Sequence, residues 1–134
     1  MDKEQLEKIK EIFSQYPQVK LVYLFGSQAR KNIGPLSDYD FAMYLDEKNS
    51  IKMYDLQYII LAKLSRLLKT DQIDIVILNL TNKPALKYNI ITEGILILEK
   101  EYFKTLIEPR ILNEYFDFRD SLIRHNLTKA GAHD

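Results

Sequence analysis

Cysteine is missing from this 134-residue sequence, and so is any excess of charge: 19 lysines and arginines face 19 aspartates and glutamates. Without thiols there are no disulfides and no thiolate metal sites, which is compatible with a reducing, cytoplasmic setting. Balanced charge argues against the broad basic footprint of a DNA- or RNA-binding surface, so no direct nucleic-acid partner is expected. No apolar run is long or unbroken enough to span a bilayer. The N-terminal stretch, Met1 to Lys10, is charged and helical in pattern rather than apolar like a signal peptide. Internal repeats, linkers and low-complexity segments are also lacking. What remains is an ordinary globular composition, 46% apolar against 28% charged. The length fits one domain with a real core, and hardly two.

Helical and strand signals alternate along the chain. Asp2 can cap a first helix in which Leu6, Ile9, Ile12 and Phe13 fall at helical spacing, and Pro17 ends it. Val19 to Phe25, β-branched and aromatic, reads as a buried strand. Gly26 breaks it, and Ser27 is placed to cap a short helical turn through Gln28, Ala29 and Arg30. Asn32-Ile33-Gly34-Pro35 is loop punctuation. Asp38 to Leu45 reads as a second strand and Asp46 to Ser50 as a polar connection. The stripe Met53, Leu56, Ile60, Leu64, Leu67 and Leu68 predicts a long helix over Ile51 to Lys69. Thr70-Asp71-Gln72 turns the chain into a third strand, Ile73 to Leu78, with Asp74 near its start. Asn82 and Pro84 are expected to form the cap and first turn of another helix, which Gly94 closes before a short strand, Ile95 to Leu98. Glu101 to about Asn126 is helical, kinked or divided at Pro109, and Thr128 to Asp134 reads as a frayed tail. This order implies an α/β (α+β) fold, a mixed sheet with helices packed against it.

Chemistry concentrates where the first two strands meet. Residues two apart on a strand share a face, so Asp38 and Asp40 present two carboxylates side by side while Tyr39 faces the other way. Carboxylates at that spacing repel unless a cation lies between them, and magnesium prefers carboxylate oxygens together with substrate phosphates. Asp74 joins them if the third strand lies beside the second. Two ions held by three such carboxylates can activate an attacking oxygen and stabilise a leaving diphosphate. Gly26 permits close backbone approach to a phosphate, Ser27 adds a hydroxyl and amides at a helix start, and Arg30 can offset triphosphate charge. Each feature alone has an ordinary structural reading: a common turn, a strand end at the surface, a solvated arginine. Their order along the chain is what is specific.

Gly26-Ser27-Gln28-Ala29-Arg30 with Ser37-Asp38-Tyr39-Asp40 resembles the signature of the DNA polymerase β-like nucleotidyltransferase superfamily, and the short chain resembles its minimal nucleotidyltransferase (MNT) branch. The likeness covers Val19 to about Glu99 and extends to the helix-Gly-strand ending, Tyr88 to Ile97. It implies a single minimal nucleotidyltransferase domain over 1–134, with its core at about 19–99 and a helical segment at 101–127. It further implies that Gly26 and Ser27 bind triphosphate, and that Asp38, Asp40 and Asp74 hold magnesium. Members of this branch are often antitoxins of HEPN ribonuclease toxins. By that resemblance the chain is expected to transfer AMP from ATP to a tyrosine of such a partner within a hetero-oligomeric complex. The alternatives are an aminoglycoside-type small-molecule nucleotidyltransferase, which usually needs a second domain, and a binding-only antitoxin without catalysis.

The other residues of note are weighed more simply. Tyr102, Phe103, Tyr115, Phe116 and Phe118, with Arg110, Arg119 and Arg124, either cover the sheet or dock a partner, since aromatics and arginine are enriched at interfaces. Arg119 and His125 echo a HEPN nuclease spacing, which is set aside because that site belongs to an all-helical domain. Tyr39 can line the rim of the site. Lys83 and Lys87 stand near a helix start, on a solvated face or within reach of a nucleotide.

Overall fold

The computed structural model describes residues 2–26 and 39–133, with side chains through residue 126. Asp2 has extended backbone and its carboxylate accepts the Gln5 amide at 2.7 Å, which starts helix α1 (Lys3–Ser14). There follow β1 (Val19–Phe25), β2 (Tyr39–Leu45), α2 (Ser50–Leu68), β3 (Ile73–Ile77), α3 (Pro84–Glu93), β4 (Ile95–Glu99) and α4 (Phe103–His133). The four strands form one mixed sheet in the order β3-β2-β1-β4. β1 pairs antiparallel with both β2 and β4, and β2 pairs parallel with β3. The parallel pair is possible because α2 provides the long crossover that such a connection requires.

Strand alternation divides the core in two. Phe41, Met43 and Leu45 of β2 face α1 and α2, where they meet Ile9, Phe13, Met53, Ile60 and Leu64. Ala42 of β2 and Leu21 and Tyr23 of β1 face α3 and α4, where they meet Ile90, Ile107 and Ile111. β1 is buried on both faces, which explains its nearly unbroken apolar sequence. The ladder slips between Val22 and Tyr23, which pair with Leu98 and Leu96 and skip Ile97. Ile97 and Leu98 can therefore both face α1 and α2 while Leu96 faces the other way.

Several boundaries differ from the sequence expectation. The helix after β3 is not capped by Asn82: Lys83 is its N-cap, without a side-chain hydrogen bond, and Pro84 holds the first position, where its missing N–H costs nothing. A three-residue 3-10 turn, Leu78–Leu80, intervenes where the strand was expected to end. Gly94 does end α3, but with φ −74° rather than a left-handed cap. Glycine is required there by crowding, because a Cβ would press on the carbonyls of Ile90 and Leu24, the latter at 3.2 Å. Pro109 does not divide α4, which continues as one helix on either side of this exposed residue. The expected frayed tail is helical backbone through His133. At 31 residues α4 is about 46 Å long, and every described side chain from Phe116 to Asn126 is exposed. No helix among the described residues is long and apolar enough to cross a membrane.

Candidate active site

β2 is paired on both sides, and those two ladders place the acidic residues. Asp40 stands opposite Phe25 of β1 and in register with Asp74 of β3. Neighbouring strands lie about 4.8 Å apart, so two in-register residues on one face stand side by side. Asp40 shares its face with Ala42, and Asp74 with Val76, both in the core beneath α3 and α4. β3 does lie next to β2, as the sequence expectation required, with Asp74 in register with Asp40. Asp40 is half-buried and Asp74 exposed.

Gly26, which ends β1, has φ +73°, a left-handed backbone that favours glycine. A Cβ built there would overlap the Asp40 carboxylate, with the Asp40 Cγ at 3.1 Å. Phe25, the cross-strand partner of Asp40, precedes it directly. Gly26 therefore makes room for an acidic side chain, a role the sequence reading did not foresee beside its expected approach to phosphate. Ser27, Arg30 and Asp38, the other site residues expected from the sequence, lie outside the described residues. Among the described residues no group of three or more histidine, cysteine, aspartate or glutamate side chains converges; Asp40 and Asp74 are the described part of the expected carboxylate set.

The donor set suits a hard divalent cation. Carboxylate oxygens are the ligands magnesium prefers, and phosphate oxygens of a substrate complete its shell.

Side-chain amides missed from the sequence hold β3, the edge strand that carries Asp74. Gln57 of α2 donates from Nε2 to the Ile75 carbonyl at 2.6 Å. Asn79 continues the ladder past the end of β3: its Nδ2 donates to the Leu45 carbonyl at 2.8 Å and its Oδ1 accepts the Leu45 amide at 2.9 Å. The available signal was a polar residue interrupting an apolar run, Gln57 between Leu56 and Ile60 and Asn79 between Leu78 and Leu80.

Other expectations are corrected. Tyr39 does not line the rim, because it stacks on Phe41 with centroids 6.4 Å apart, on the opposite face against α1 and α2. Lys87 is neither solvated nor near the carboxylates. It pairs with Glu114 of α4 at 3.0 Å, in a cleft of about 220 Å³ lined also by Tyr44, Asn79 and Arg110. Tyr44 lies four residues along β2 from Asp40, about 13 Å away. At that end Phe103 tilts against Tyr44, centroids 6.0 Å apart, and Tyr88 stacks on Tyr115 at 3.9 Å. Tyr23, fully buried beneath α4, donates its hydroxyl to Glu108 Oε2 at 2.5 Å. Burial first, and then the Glu108 carboxylate, push the Tyr23 phenol well above its ordinary value.

Comparison with known proteins places this geometry. Residues 7–103 match the family model described as polymerase beta, nucleotidyltransferase. No protein of curated function matches the sequence. Among solved structures, a chain of a mutant MntA–HpeT toxin–antitoxin crystal structure is 20% identical with a TM-score of 0.70, covering 91% of this chain and 98% of that one. A toxin–antitoxin structure with AMP-PNP is 20% identical with a TM-score of 0.68, covering 95% and 99%. A chain from Shewanella oneidensis is 18% identical with a TM-score of 0.68, at the same coverage. At these identities the agreement is one of fold, along nearly the whole length of each chain.

Proposed function

The chain belongs to the polymerase β nucleotidyltransferase family, and on that premise we propose that it transfers AMP from ATP to a tyrosine of a HEPN-type ribonuclease toxin, acting as the antitoxin. The observation that carries the reading is the in-register pair Asp40 and Asp74, on one face of adjacent strands, with Gly26 making room for the first. It is supported by two fold relatives: toxin–antitoxin pairs share the architecture over nearly the whole chain, and one was solved with AMP-PNP.

In this reading Asp38, Asp40 and Asp74 hold two magnesium ions, which would neutralise the triphosphate and the developing charge on the leaving group. Ser27 and Arg30, with the Gly26 turn, take the triphosphate. The phenolic oxygen of the acceptor bonds to the α-phosphorus and the bond from that phosphorus to the bridging oxygen breaks. Diphosphate leaves, and the phenolic proton is released to solvent. The acceptor comes from a second protein, in keeping with a balanced charge that offers no broad basic footprint for a nucleic-acid acceptor. Such a pair would work in the cytoplasm.

Intact-mass analysis of the toxin, incubated with this protein, ATP and magnesium, tests the reading. Added AMP mass on a toxin tyrosine is expected, and its loss with Asp38→Ala or Asp40→Ala. Undiminished transfer by the double alanine variant would overturn the mechanism. Full neutralisation of the toxin by that variant, without transfer, would make this a binding-only antitoxin.

A further inference from the structure

We propose that Gly26 is a positioning residue for the Asp40 carboxylate, acting on the metal site through that side chain, apart from any contact with phosphate. The ligand's identity rests on the function proposed above; the contact between the two residues does not. Three observations carry the inference. The volume where any other side chain would begin at position 26 is filled by the Asp40 carboxyl group, with Cγ at 3.1 Å and Cβ at 3.3 Å from a Cβ built there. Asp40 is held in ladders by Phe25 on one side and Asp74 on the other, so its backbone has little freedom to retreat. An added methyl is therefore accommodated by turning the Asp40 side chain about χ1, away from the position its carboxylate holds beside Gly26. The left-handed φ of Gly26 is a second and separate reason for glycine, and the experiment must divide the two.

The test uses Gly26→Ala, Asp40→Ala and the double variant, with two readouts: Mn²⁺ affinity of the nucleotide-free protein by calorimetry, and the thermal midpoint. Gly26→Ala is expected to weaken Mn²⁺ binding about tenfold or more, as disturbed outer-sphere support of a ligand generally does. Its loss of thermal midpoint is expected to shrink in the Asp40→Ala background, where the overlap is gone and only the φ strain remains. Gly26→Asn, whose side chain tolerates left-handed backbone but brings a Cβ, is expected to lose Mn²⁺ affinity as Gly26→Ala does. Unchanged Mn²⁺ affinity in folded Gly26→Ala, or the same midpoint loss in both backgrounds, would overturn the inference. If Gly26→Ala does not fold, folding of the double variant supports the inference and its failure overturns it. Wild-type protein that binds no Mn²⁺ would instead count against the proposed function, and the midpoint cycle would still decide the contact.

Discussion

At one end of the sheet face beneath α3 and α4, Asp40 and Asp74 stand in register on adjacent paired strands. About 13 Å along the same strand, the Tyr44 end is tied down by Phe103, by the Asn79 amide on Leu45 and by the Lys87–Glu114 pair. The difference separates two tasks. The backbones of the two aspartates are placed by hydrogen-bonded ladders, which do not depend on which side chain a residue carries. The Tyr44 end is placed by side-chain packing, which does. Changes at the first end should therefore cost chemistry and spare stability, and changes at the second should do the reverse.

Asp74→Asn is the sharpest test of that division. Removing one charged ligand should cut transfer by ~100-fold or more, the loss of several kcal/mol of charge stabilisation in the transition state. Because Asp74 is exposed, its thermal midpoint should stay within about 2 °C of wild type. A large drop in midpoint would mean that the carboxylate also holds the fold. At the other end, Ile107→Ala removes a side chain buried to 6% exposure and should cost about 2–4 kcal/mol in urea unfolding. Nucleotide affinity of the folded fraction should be unchanged.

Asn79→Ala leaves the Leu45 amide and carbonyl without partners and should cost about 1–3 kcal/mol; midpoints in urea, with the m-value held, would measure it. Tyr23 provides a pH signature. Its phenol is raised in the folded protein, so the unfolded chain releases that proton first. The stabilisation is complete below the ordinary tyrosine value of about 10 and is lost as pH rises above it. The wild-type thermal midpoint should thus fall more steeply above pH 10 than that of Tyr23→Phe, and parallel curves would show that the buried hydroxyl carries no such linkage. The smallest effect belongs to Lys87→Ala. The Lys87–Glu114 pair is partly solvated, with Glu114 43% exposed, and its loss should cost less than about 1 kcal/mol. A larger loss would make the cleft between α3 and α4 more than a surface contact.

Much of the fold was legible because single residues announce local events. Asp2 caps α1, Pro84 opens α3 and Gly94 closes it, and the Met53-Ile60-Leu64 stripe marks α2 with one-residue accuracy. The misreadings fell where local signals compete. Asn82 is a good cap by type, but the chain begins its helix one residue later. Pro109 was expected to kink or divide its helix; it does not divide it, and a 31-residue helix passes through it, because losing one hydrogen bond is a small fraction of what so long a helix makes. Tyr39 was assigned to the correct face from strand alternation and then given a rim role that this same face rules out.

By itself the sequence determined the residue types of the site and their order: a glycine at a strand end, then an aspartate near the start of each of two later strands. It could do so because turn chemistry, strand alternation and metal-ligand preference are local properties. Only the tertiary structure decided that β3 lies parallel beside β2, with Asp74 opposite Asp40 rather than a residue away. A one-residue slip would have sent Asp74 to the other face. It also decided that Gly26 faces the Asp40 carboxylate and that Lys87 spends its charge on Glu114. Those outcomes depend on which segments meet across long stretches of chain, through ladders and packing that no window of neighbouring residues contains.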